Sequence, residues 1–261
     1  MNGISPWAAS VTAIFNDDEL PGIYQKKLQQ YVFTVYHLED SLWLLVTWPS
    51  GGRVAMRMAY SPNDHLQIKL ITDKDDHVMF SIGSVIGDYK VELDFAEEQF
   101  PVFNYKTTLT PSAPLFMPFW PRDISPLNKA GKTGQPRGQV YASQVGTRSG
   151  LVYFSLDKPS SGTVFYFQNL TNLNGYCDAT HTSAADVVGG QWPELGFSLP
   201  PSIENPLPAG KEFIISDAFV ALSDEVPADE FQISGQFLDM LAADTCIYHC
   251  LLLNITTGVL F

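Results

Sequence analysis

Two short phrases hold the side chains best suited to chemistry. Trp192-Pro193-Glu194 and Trp120-Pro121-Arg122-Asp123 each set an indole beside ionisable groups. An aromatic face stacks on the apolar C–H surface of a pyranose, while carboxylates and other polar groups satisfy its hydroxyls. Trp120, Arg122, Asp123, Trp192 and Glu194 are therefore the candidate substrate-binding residues, and an oligosaccharide is the candidate ligand. The same composition arises where tryptophans cap a core and their charged neighbours pair at the surface, each pair contributing about 0–1 kcal/mol. The indoles decide between the two: exposure beside carboxylates in a concave groove favours sugar, and burial favours a scaffold.

Catalysis has less behind it. Glycoside hydrolysis requires two carboxyl groups roughly 5–10 Å apart, one with a raised pKa. Glu39, Asp40, Asp178, Asp186 and Glu194 are available, but nothing in the sequence pairs them. His181 has no Gly-x-Ser-x-Gly elbow for company and reads as an exposed loop histidine. His249 lies between Cys246 and Cys250 among apolar neighbours, without the second ligand pair a zinc site needs, so no metal is expected. Asp73-Lys74-Asp75-Asp76 lacks the glycine and distant glutamate of a calcium loop and reads as a hairpin tip. Gly83 and Gly87, like Gly131 and Gly134, open no helix after a strand and read as turn glycines, and no cofactor is expected.

Composition narrows the partners. A net charge of −13, from 15 basic and 28 acidic residues, repels a phosphate backbone, and no basic cluster makes a local exception; nucleic acid is excluded. Cys177, Cys246 and Cys250 do not form a disulfide framework, and Met1–Leu20 lacks a basic leader, so reduced thiols in the cytoplasm are expected. The apolar run Cys246–Phe261 is too short to span a bilayer, so no membrane association is expected.

The elements that must position these residues are strands. Runs such as Tyr31–Tyr36, Ser41–Trp48, Arg53–Tyr60, Leu66–Thr72 and Val78–Ile82 alternate with period two between turn residues. The pattern continues at Tyr89–Phe95, Phe103–Leu109, Gln139–Val145, Gly150–Leu156, Thr163–Asn169 and Lys211–Leu222. That many strands require two sheets, and the expectation is an all-β protein: a large two-sheet antiparallel β-sandwich over residues 1–228. The prolines from Pro111 to Pro126 remove backbone donors, so this segment reads as a loop or crossover and not a central strand. Its Phe116, Phe119 and Trp120 form either a lid on the core or an exposed platform, packing being the commoner outcome. From Gly162 a strand runs into a long polar loop closed by Trp192-Pro-Glu-Leu-Gly196. Over Asp229–Asp244, Ile233, Phe237, Met240 and Leu241 fall on one helical face behind an acidic start. Residues 229–261 are thus expected to be a C-terminal helix and an apolar tail that breaks both periods.

A large β-sandwich followed by a connecting helix resembles the N-terminal portion of bacterial glycoside hydrolases and phosphorylases whose catalytic unit is an (α/α)6 barrel. Tyr166-Phe-Gln-Asn-Leu-Thr-Asn-Leu-Asn174 and Gly189-Gly-Gln-Trp-Pro-Glu-Leu-Gly-Phe197 are similar to segments of the leading domain in that group. The resemblance implies that the acid and base lie on a barrel absent from this chain, so no catalytic residue carries over. It also implies that residues 229–261 begin a linker, and that the sandwich is an accessory domain against a helical catalytic domain or second subunit. The alternative from the residues alone is an interaction or assembly domain without sugar affinity.

Overall fold

The computed structural model of the protein describes residues 13–15, 20–97, 99–128, 136–158, 160–184 and 187–257. The N-terminal stretch 1–12, Gly131, Gly134, Asp186 and the tail 258–261 lie outside the described residues, as do the side chains of Cys246, His249 and Cys250.

Alternation of large apolar with polar residues gives each strand one face to bury. In β7 (Gly87–Glu97), Tyr89, Val91, Leu93 and Phe95 are buried while the residues between them are not. Such strands build two antiparallel sheets packed face to face. The first has seven strands in the order β1 (Gly22–Leu28), β2 (Tyr31–Leu38), β3 (Ser41–Thr47), β4 (Arg53–Tyr60), β10 (Ile124–Leu127), β15 (Glu194–Phe197) and β14 (Val188–Gln191). The second has eight, in the order β11 (Arg137–Val145), β12 (Ser149–Lys158), β13 (Ser160–Asn169), β17 (Phe213–Ser223), β8 (Pro101–Pro111), β7, β6 (His77–Ser84) and β5 (Gln67–Lys74). A short third pair joins β9 (Leu115–Met117) to β16 (Ser202–Leu207).

The core lies between the two large sheets. Phe33 meets Phe95 and Phe103 edge-on, each at 5.3 Å between ring centroids, and all three rings are buried. Burying one such side chain contributes about 1.5–3 kcal/mol. Trp48 ties the sheets together by donating its indole N–H to the Ser223 carbonyl at 2.9 Å.

Every strand run read from periodicity is present. Three readings are corrected. The Pro-rich segment does supply a strand in the middle of the first sheet, β10, which contains Pro126. It is tolerated because β15 pairs with β10 only at Ile124↔Leu195, leaving Pro126 laddered to β4 alone, as on an edge strand. The polar stretch after Gly162 is not a loop. It folds into a 3-10 turn (Leu170–Leu173), helix α1 (Asn174–Thr180) and the β14–β15 hairpin. The expected helix is α2 (Glu230–Thr257), and its backbone continues helical through the stretch read as breaking both periods. None of the helices, among the described residues, is long and apolar enough to cross a membrane.

The start of α2 is set by Asp229. Its carboxylate accepts the Gln232 N–H at 2.9 Å, and the Gln232 amide oxygen reaches back to the Ala228 N–H at 2.9 Å, closing a reciprocal cap. The helix then lies on the outer face of the second sheet. Phe237 packs at 5.6 Å from both Tyr153 and Phe165, with Met240 fully buried beside them.

Candidate functional site

Asp123 does not face a ligand. It sits just before β10 and is 2% exposed between the sheets. One oxygen accepts hydroxyl hydrogen bonds from Tyr105 of β8 and from Tyr166 of β13, the latter at 2.8 Å; the other accepts the Phe197 N–H at 2.7 Å. Burial raises its pKa, opposed by those hydrogen bonds and by the charge of Arg57. Arg57 is itself buried, donates to the Pro121 carbonyl and lies 5.1 Å over the rings of Tyr60 and Trp120, and burial lowers its pKa to about 10. This knot explains one glycine of the Trp-Pro-Glu-Leu-Gly phrase. Gly196 holds φ +92°, and a Cβ there would stand 2.1 Å from the Asp123 carboxylate.

The other candidates divide around it. Trp120 is 7% exposed and packs edge-on against Tyr60, whereas Phe116 and Phe119 are exposed, so the expected aromatic lid is split. Arg122 donates to the carbonyls of Val187 and Gly196, and the Glu194 carboxylate acts on it electrostatically. Trp192 donates its indole N–H to the Pro136 carbonyl at 2.9 Å and meets Phe154 edge-on, half-buried. Arg122, Trp192 and Glu194 thus cluster around the β14–β15 hairpin, while Trp120 and Asp123 are directed inward. The five do not form one open platform.

A second buried carboxylate organises the outer face of the second sheet. Asp217 accepts side-chain amide hydrogen bonds from Asn104 (3.0 Å), Asn169 (3.0 Å) and Asn172 (2.6 Å), fastening the 3-10 turn to β8 and β17. Burial raises its pKa, partly offset by these amides and by Lys106. A folded-state pKa above the unfolded value near 3.9 means the folded chain holds more protons between the two. The Asp217 contribution is therefore fully present below about pH 4 and is lost as pH rises through the raised value. In urea unfolding, Asp217→Asn will gain stability relative to the native chain between pH 4 and pH 7.5; a pH-independent difference would contradict this.

Reading from the sequence missed a groove. About 700 Å³ of space separates the β1–β2 turn, the β7–β8 turn, the chain following β17 and the first turns of α2. Tyr31, Gln99, Asp224, Phe231, Gln232 and Asp239 are among its lining residues, and no Lys, Arg or His lines it among the described residues. Burial, with the charges of Asp224 and Glu225, pushes the Tyr31 hydroxyl pKa up, so that phenol stays protonated. Phe231 stands at the groove 88% exposed. Gln236 forms the wall between groove and sheet. Its amide oxygen accepts from Tyr153 (2.6 Å) and Thr163 (2.7 Å), and its nitrogen donates to Ser223 (3.1 Å) and the Glu225 carbonyl (3.2 Å).

Among the described residues, no group of three or more His, Cys, Asp or Glu is placed to hold a metal ion. Comparison of the chain with protein-family models, with curated proteins and with solved structures finds no match in any of the three.

Proposed function

We propose that this chain is a non-catalytic accessory β-sandwich domain of a bacterial, cytoplasmic carbohydrate-active enzyme, a glycoside hydrolase or phosphorylase acting on glucan-type oligosaccharides. The observation that carries the reading is the way α2 is locked to the second sheet. Four hydrogen bonds converge on Gln236, and Phe237 fills an aromatic socket. A helix held this firmly gives a sandwich a fixed orientation toward whatever the helix serves, which is the work of a platform domain beside a helical catalytic unit. Among the described residues, the two most deeply buried carboxylates, Asp123 and Asp217, are both engaged by structural donors, which suits a domain that carries no acid or base of its own.

A second reading is an assembly domain without sugar affinity. Burial of Trp120 and the anchored indole of Trp192 favour it, since neither ring lies open as a stacking platform. Incubation of the purified chain with glucan oligosaccharides, with and without inorganic phosphate, tests the non-catalytic claim. No new reducing ends and no sugar phosphate are expected; turnover abolished by a carboxylate substitution would identify a complete enzyme and overturn the proposal.

A further inference from the structure

We infer that the groove between α2 and the two hairpin turns is a saccharide-contacting site selective for uncharged glycans. The inference rests on the carbohydrate reading above and names a site and a ligand class for it. Three features of the lining converge. The first is hydrogen-bonding character: Gln99 and Gln232 offer amides, and Tyr31 a hydroxyl whose pKa is pushed up by burial and then by the charges of Asp224 and Glu225. Amides and hydroxyls both donate and accept, which matches a polyol whose hydroxyls do the same. The Gln232 oxygen is engaged at the helix cap, so its NH2 is the part that faces a ligand as donor.

The second feature is an aromatic face. Phe231 is 88% exposed on the first turn of α2, where its ring can cover the C–H surface of a pyranose. A phenylalanine left so open at the start of a capped helix adds nothing to the core. The third feature is charge. Asp224, Glu225 and Asp239 line the groove with no cation among the described lining residues, in a chain of net charge −13. A uronate or sugar phosphate entering it would meet only like charge, whereas a neutral sugar meets acceptors for its hydroxyls. Rigidity completes the argument, because Gln236 fixes the α2 wall to the sheet and little ordering remains to oppose binding.

The test is calorimetric titration of the full chain with neutral gluco-oligosaccharides, oligogalacturonides and glucose phosphate at low salt, repeated on Phe231→Ala and Asp239→Asn. Phe231 and Asp239 are exposed, so their variants keep the fold. Expected is saturable binding of the neutral ligands only, weakened about tenfold or more in Phe231→Ala and about threefold or more in Asp239→Asn. Binding by the native chain that neither groove variant weakens would overturn the groove assignment while leaving the carbohydrate reading in place. Anionic ligands binding as tightly as neutral ones would overturn the selectivity. A folded native chain that binds no neutral saccharide would overturn both the site and the reading beneath it.

Discussion

Asp123→Ala is expected to destabilise the chain by about 3–5 kcal/mol, a large fraction of the roughly 5–15 kcal/mol that keeps an ordinary domain folded. The carboxylate joins groups from both sheets: Tyr105 and Tyr166 from the eight-stranded one, and the N–H of Phe197, the last residue of β15, from the seven-stranded one. Its loss strands the Tyr105 hydroxyl and the Phe197 amide, while the Tyr166 hydroxyl retains Gln168 Oε1 at 2.8 Å, and it removes the negative charge that acts most strongly on the buried Arg57. Each stranded donor costs about 1–3 kcal/mol, and an uncompensated buried cation costs more. Asp123→Asn keeps one acceptor oxygen and the volume, so it should cost less than half as much. Urea unfolding checks both variants. A loss below about 1 kcal/mol for Asp123→Ala would mean that Asp123 is not what joins the sheets.

The second large effect concerns the attachment of α2. Gln236→Ala removes four hydrogen bonds at the attachment of the helix, two of them from the hydroxyls of Tyr153 and Thr163. Thr163 is fully buried, and without Gln236 its hydroxyl keeps only the longer contacts to the Glu225 carbonyl at 3.5 Å and the Met240 sulfur at 3.9 Å. The expected cost is about 2–3 kcal/mol, most of it local. Amide hydrogen exchange should therefore speed up at least tenfold over Glu230–Ala243 while the strands of the first sheet keep their protection. Uniform acceleration across the chain would show that α2 and the sandwich unfold as one unit; unchanged exchange would show that Gln236 does not hold the helix.

How much of this was legible in advance follows from the physics of each element. Strands with one buried face declare themselves by period two, and α2 declares itself by Ile233, Phe237 and Met240 at helical spacing behind Asp229. Strand β10 was illegible because its fitness to hold Pro126 depends on where β15 stops pairing, a property of another segment altogether. β1 was missed because it is an edge strand, mostly exposed, whose Gly-Ile-Tyr-Gln-Lys-Lys-Leu carries little alternation. Among the candidate site residues, adjacency in sequence misled. Trp120 and Asp123 are directed into the interior while Arg122 between them turns to the β14–β15 hairpin. The one legible trace was Gly196, a glycine standing where Asp123 leaves no room for a Cβ. The groove left no trace at all, because Tyr31, Gln99, Asp224 and Phe231 come from separate segments and each is unremarkable in its own.

The most direct measurement of the central claim is a titration of the native chain with a length series of neutral gluco-oligosaccharides, followed by calorimetry. An accessory domain of a carbohydrate-active enzyme predicts saturable binding with one site per chain and affinity that rises with oligosaccharide length until the groove is filled. Absence of heat at millimolar ligand, from a protein whose cooperative unfolding shows it to be folded, would contradict that account and favour an assembly domain.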